Sequence, residues 1–274
     1  PNPGFPIYES AIRFSGATPV PIELHEDTGF SFSADEVLEK INERTRLIII
    51  NSPANPTGGV VQKDELDKLV AGLERHPEVV IMSDEIYSRM LYDSHQHVSL
   101  LEYEHLRDRV IMLDGWSKTY AMTGWRIGYS VGPEAIISAM TKVQVESSSC
   151  ASSISQAAAE AALNGPQNLL QPMLKAYQQR HNYVVAQLCA IQGLEVLPSQ
   201  GTFYTFPNCQ QAMERLGYED DVALVKAILT QTGVALVPGS AFGMDGHFRL
   251  SYATDLALLK TACERLTTFF QGLS

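Results

Sequence analysis

Two apolar runs separated by very little chain constrain this sequence more than any other feature. Val110 to Gly115 (VIMLDG) reads as a buried strand and Trp125 to Val131 as the next, with a polar stretch around Ser117, Lys118 and Thr119 between them. A parallel neighbour requires a crossover of a dozen or more residues, so this pair is expected to be antiparallel, or displaced, within an otherwise parallel sheet. Lys118 then lies on a tight loop just past the carboxyl end of one strand, and Arg126 lies on the strand that follows.

Two more buried strands precede this pair. Arg46 to Ile50 runs into the turn-rich stretch NSPANPTGG, and Val79 to Met82 runs into SDEIY. Continuous apolar runs of this kind suit strands covered on both faces. Helices are predicted between them. Ser33 and Glu36 form a capping-box pattern ahead of a helix from Ala34 to Arg44, and Gln62 to His76 carries Leu66, Leu69, Val70 and Leu73 on one face. In open α/β sheets ligands collect at the carboxyl ends of strands, where Asn55, Asp84, Tyr87 and Lys118 all fall.

Further along, Glu134 to Val145 and Ile154 to Asn164 read as helices on either side of the polar run ESSSCASS, and Leu169 to Ile191 as one long helix. The remainder reads as a small α/β unit. Its strand candidates are Leu194 to Leu197, Thr202 to Phe206, Val234 to Val237 and Phe248 to Tyr252, with helices at Asp220 to Thr232 and Asp255 to Phe270. The histidines between His95 and Asp108 lack metal-ligand spacing, and that segment reads as a polar surface connection.

Composition bears on partners. Asp and Glu outnumber Lys and Arg 31 to 20, a net charge of -11, which disfavours nucleic acid as a ligand. No apolar run approaches membrane-spanning length. Four cysteines without CxxC spacing fit a reducing cytoplasm better than a disulfide framework or zinc.

The string Ser-Lys-x-x-x-Met-Thr-Gly-Trp-Arg-Ile-Gly-Tyr, Ser117 to Tyr129, resembles the lysine signature of class I and II aminotransferases, pyridoxal-phosphate (PLP) enzymes of fold type I. PGFPIY, NPTG, SDEIY and the later PGSAFG and RLSYA follow the same family's order. The resemblance implies a three-layer α/β PLP-binding domain with a mostly parallel sheet over residues 1–168. A long connecting helix and a smaller C-terminal α/β domain would occupy 169–274. It also implies a homodimer with shared active sites.

The resemblance assigns roles residue by residue. Lys118 would form the Schiff base and carry protons, and Asp84 would pair with the protonated ring nitrogen. Asn55 and Tyr87 would reach the ring's phenolic oxygen, Phe5 would stack on the ring, and Arg126 would bind the phosphate. Arg249 would bind the substrate α-carboxylate beside Asn55, and Phe203 would wall the pocket. Many relatives have a serine three residues before the lysine. Here that residue is Gly115, and Ser117 would supply a hydroxyl in its place.

These residues point to transfer of an amino group between an L-amino acid, aspartate or a related one, and a 2-oxo acid. A PLP-dependent carbon-sulfur lyase and a non-catalytic regulator domain of the same fold stay open alternatives. An arginine that in some relatives recognises dicarboxylates from the neighbouring subunit is not found between Lys142 and Ala162, which leaves substrate identity open. Family members have a phosphate-binding turn upstream of PGFPIY. Pro1 opens this sequence without a methionine, so the chain is expected to be part of a longer protein.

Overall fold

The apolar runs pair in the predicted way. In the computed structural model, which describes residues 1–272, β1 (Leu47–Asn51), β2 (Val80–Asp84), β3 (Val110–Gly115) and β4 (Gly128–Val131) form one sheet in that order. The first three strands are parallel and β4 is antiparallel to β3. Ile48, Ile50, Ile81, Val110, Ile111 and Met112 are all buried, as strands covered on both faces require. Register brings Asn51 opposite Asp84 and Asp84 opposite Leu113, so β1 and β2 end level while β3 continues to Gly115. The loops carrying the polar motifs therefore emerge side by side.

Helices α1 (Ile7–Phe14), α2 (Ala34–Lys40) and α3 (Lys63–Leu73) belong to the first part of the chain. The inward face of α3 is the predicted one, Leu66, Leu69, Val70 and Leu73. The capping box forms only in half: Ser33 accepts from the Glu36 amide, while the Ala34 amide donates to Glu65 of α3 at 2.6 Å. Helix α2 stops at Lys40, short of the predicted Arg44. Asn42 and Thr45 side chains take the amides of Arg44 and Asn42, and such local bonds compete with helix.

Two readings change around the central lysine. Lys118 is part of a one-turn helix, α4 (Trp116–Thr119), rather than of an irregular loop. A 3-10 turn (Thr123–Trp125) follows, so the next strand starts at Gly128 rather than Trp125. Arg126 stands before that strand, in the left-handed region at φ 51°. The chain must reverse direction here in few residues, and two tight helical turns do so with buried anchors. Trp116 Nε1 donates to the Ala159 carbonyl at 3.1 Å, and Ser155 Oγ to the Trp125 carbonyl at 2.8 Å.

After α5 (Glu134–Ser148), α6 (Ser153–Asn164) and α7 (Leu170–Cys189) comes a second, antiparallel sheet. It consists of β5 (Tyr204–Thr205), β6 (Val237–Pro238) and β7 (Phe248–Ser251), ordered β5-β7-β6, with α8 (Gln210–Leu216), α9 (Asp221–Thr232) and α10 (Leu256–Phe270) packed nearby. Leu194 to Leu197 is not a strand. Only Glu195 bridges Asn208, and Pro198, which has no amide proton, follows.

Most of the second core, including Val184, Leu188, Leu224, Ile228, Phe248 and Leu266, comes from this half. Phe206 and Phe242 instead join the core beneath the parallel sheet, and Tyr92 joins the second core.

The segment between β2 and β3 is less superficial than its polarity implies. Glu85 is buried and accepts from Ser83 Oγ (2.8 Å), Ser99 Oγ (3.0 Å) and the Leu100 amide (3.2 Å), and it faces His97 Nε2 at 3.0 Å. Burial alone would raise the Glu85 pKa, yet bonds from His97, Ser83 and Ser99 hold it below the ordinary carboxylate range.

A folded-state pKa below the unfolded one adds stability above the ordinary glutamate range, and that stability disappears as pH falls through the folded value. The urea midpoint of the wild type should therefore drop on acidification more steeply than that of Glu85→Gln. Glu85→Ala, which leaves the His97 ring and the Leu100 amide unpaired, should cost about 3–5 kcal/mol by urea denaturation.

Candidate active site

Asp84 ends β2 with its carboxylate in a largely buried position. Oδ2 accepts from the Tyr8 hydroxyl at 2.6 Å, and Oδ1 from the Ile86 amide at 3.3 Å. Burial pushes the Asp84 pKa up. The bonds from Tyr8 and Ile86 pull it down, Glu85 raises it, and Lys118 lowers it.

Lys118 presents its amine to a wall of aromatic rings. Nζ lies 5.6 Å from the Tyr87 ring centroid and 5.4 Å from that of Phe203. Phe203 packs edge-on against Tyr87 and Tyr204 and stacks on Tyr177 at 5.7 Å. Burial lowers the Lys118 pKa, the charges of Arg249 and Arg126 lower it further, and Asp84 opposes them. Half-burial among cations favours the neutral amine, the form that can attack a carbonyl or take a proton.

Arg249, on β7, reaches across from the second sheet. Nη1 donates to Asn55 Oδ1 at 2.7 Å, which leaves the Asn55 amide group free to donate elsewhere. The Asn55 backbone amide is fixed in turn by Asn51 Oδ1 at 2.9 Å. The Arg249 guanidinium lies 4.2 Å from the Tyr204 ring centroid and 4.8 Å from that of Phe242. Such contacts offset part of a cation's desolvation, by roughly 0.5–2 kcal/mol. No carboxylate side chain pairs with Arg249 among the described residues, and its Nε is buried without a partner. The Tyr204 hydroxyl also meets the Tyr87 hydroxyl at 3.1 Å.

The structure thus brings together Asp84, Asn55, Tyr87, Lys118, Arg249 and Phe203. Arg126 is near enough to act on the Lys118 charge, while its Nη1 donates to the Thr123 carbonyl at 3.1 Å. Ser117 lies within α4 and is half-buried. Phe5 is 42% exposed and meets Tyr8 edge-on at 5.7 Å.

Gly115 has a steric reason to lack a side chain. A Cβ there would stand 3.0 Å from the Gly128 Cα and 3.1 Å from the Ile127 carbonyl oxygen.

PLP carries a phosphate dianion, a phenolic oxygen and a basic ring nitrogen, and the residues present fit each. Among the described residues Lys118, Arg126 and Arg249 have no acidic side-chain partners, and the buried Arg249 Nε has no acceptor. Asp84 supplies the single negative charge suited to a protonated ring nitrogen. Two site residues escape sequence reasoning, Tyr8 and Tyr204. Each acts through its hydroxyl on a residue far away in sequence, so no local spacing marks either.

A family profile described as aminotransferase class I and II matches residues 1–266. The aspartate aminotransferase of Bacillus subtilis (strain 168) is 40% identical over 272 residues, covering 99% of this chain and 69% of that protein. The aspartate/prephenate aminotransferase of Nitrosomonas europaea is 39% identical over 275 residues, covering 98% of this chain and 69% of that protein. Among solved structures, the aspartate aminotransferase from Rhizobium meliloti superposes with a TM-score of 0.91 at 38% identity, covering 99% of this chain and 70% of that one.

The Lys118 environment makes a directional prediction for the protein free of cofactor. Arg249→Gln or Arg126→Gln removes a neighbouring positive charge, so either should raise the Lys118 pKa. The check is the pH dependence of reductive methylation at Lys118, read by peptide mass spectrometry, with the midpoint moving upward in both variants.

Proposed function

The chain belongs to the class I and II aminotransferases, and on that premise we propose that it moves the amino group of L-aspartate, or a close relative, to a 2-oxo acid. It is a PLP-dependent transaminase acting on an amino acid and an oxo acid. The observation that carries the active-site reading is Arg249, a half-buried guanidinium held by Asn55 beside Lys118, with no acidic side chain paired to it among the described residues. A substrate carboxylate supplies the missing charge.

When bound, PLP supplies an electron-accepting ring that stabilises negative charge developing at the amino acid's α-carbon. The proposed roles of the chain's own residues follow from their surroundings. Lys118 anchors the cofactor covalently through Nζ and, once free, takes the α-proton as general base, a task suited to an amine whose pKa is lowered.

Asp84 holds negative charge at the ring-nitrogen end. Asn55, through Nδ2, and Tyr87, through its hydroxyl, donate to the phenolic oxygen. Arg126 and Ser117 hold the phosphate, with Arg126 offering a planar fork of donors. Phe5 covers one ring face. Arg249 orients the substrate by its α-carboxylate, and Phe203, stacked on Tyr177, keeps water from the reacting carbon.

The choice of aspartate is supported by the names of the relatives. The same proposal includes a division near residue 168 into a PLP-binding domain and a smaller C-terminal domain, supported by a second core drawn mostly from residues beyond 184. It also includes a homodimer and a cytoplasmic location. Exposed Met140 and Val143 on α5 and exposed Val131 on β4 support a subunit contact. No described helix is long and apolar enough to cross a membrane.

An absorbance assay tests the function. PLP-loaded protein should show a near-visible band that bleaches with aspartate and returns with 2-oxoglutarate. Release of ammonia and pyruvate from cystathionine without an acceptor, and no response to aspartate, would overturn the reading. Arg249→Lys, which keeps the charge but loses the planar fork, should lower kcat/KM for the amino acid by about 10- to 100-fold.

A further inference from the structure

Helix α1 has no buried residue, yet one of its side chains reaches the centre of the site. Tyr8 is, with Ile12, one of two half-buried residues in an otherwise exposed helix, and its hydroxyl donates to Asp84 Oδ2 at 2.6 Å across 76 residues. The Ile86 amide meets the other carboxylate oxygen at 3.3 Å. Each oxygen thus has one protein donor and keeps acceptor capacity for a ligand. We propose that Tyr8 is a positioning residue for the reaction, whose hydrogen bond to Asp84 keeps the proton shared with the cofactor on the ring nitrogen rather than on the carboxylate.

The argument is one of competing basicities and rests on the reading of Asp84 given above. A carboxylate in a poorly solvated place becomes a stronger base and tends to capture the proton of any N–H placed against it, leaving two neutral groups. The groups facing Asp84 divide in their effect. The Tyr8 hydroxyl and the Ile86 amide stabilise the anion, as does the charge of Lys118, while neighbouring Glu85 opposes it. Tyr87 also feels the charge of this carboxylate.

Tyr8 is the shortest of the direct bonds and comes from a side chain, so it can be removed without touching β2. Burial and the neighbouring carboxylate push the phenol's own pKa far up, and Tyr8 remains a donor throughout the working pH range. Protons are conserved in the partition: one proton lies on nitrogen or on Asp84 oxygen, and the hydrogen bond from Tyr8 decides which.

Two measurements on the full chain separate this proposal from the reading beneath it. In cofactor-free protein with carbon-13 aspartate labels, the Asp84 carboxyl resonance, assigned through Asp84→Asn, should titrate about one to two pH units higher in Tyr8→Phe. Replacing Tyr8 by 3,5-difluorotyrosine, a stronger donor of nearly the same shape, should move it the opposite way. The fluorinated protein keeps the test decisive should Tyr8→Phe fold poorly.

In protein loaded with nitrogen-15 PLP, the ring nitrogen resonance should sit at its protonated position in the wild type. It should shift toward the unprotonated position in Tyr8→Phe. An unchanged nitrogen resonance in Tyr8→Phe, or an unchanged carboxyl midpoint in both Tyr8 variants, overturns the proposal. A wild-type nitrogen insensitive to Asp84→Asn overturns the reading of Asp84 instead, and the cofactor-free titration still reports on the Tyr8 bond.

Discussion

The register of three parallel strands is the constraint on which this molecule depends. Asn51 opposite Asp84, and Asp84 opposite Leu113, bring the ends of β1 and β2 level beside β3, which continues to Gly115. One slipped residue on β2 would turn the Asp84 side chain to the other face of the sheet, because side chains alternate along a strand. The buried aliphatic residues of β1, β2 and β3 fix that register, and packing thereby sets the direction of the Asp84 carboxylate.

Charge is arranged on this frame so that attraction between protein groups stays incomplete. Asp84 is bonded to neutral donors, Tyr8 and Ile86, rather than to an arginine or lysine. Arg249 is bonded to the neutral Asn55 and sits over aromatic rings. Direct ion pairs would have stabilised the fold while consuming the groups a ligand needs. Glu85, next to Asp84 in sequence, shows the opposite treatment: Ser83, Ser99 and the Leu100 amide all donate to its Oε1, and His97 meets its Oε2.

Whether a feature was legible in the sequence tracks how local its cause is. The antiparallel turn-back at Lys118 follows from a gap too short for a crossover, and the inward face of α3 from its own periodicity. Asp84, Asn55 and Lys118 stand in motifs that name their surroundings. Tyr8 and Tyr204 act through bonds spanning 76 and 117 residues, and nothing near either announces the partner.

His97 looked like a surface residue because its neighbours are polar, and only the fold reveals that Glu85 waits beneath it. The single bridge at Glu195 and the short α8 fail for another reason: their elements are two to seven residues of marginal propensity, decided by what packs against them.

Two glycines face each other at the end of the β3–β4 pair. Gly115 and Gly128 are register partners, and the bare backbones approach so closely that neither strand has room for a methyl group from Gly115 without moving. Lys118 follows one of these residues and Arg126 precedes the other. For anyone redesigning the pocket, this spot is a poor place to introduce diversity. A library varied there would displace Lys118 and Arg126 together, whereas Tyr177, on α7, is not tied to that seam.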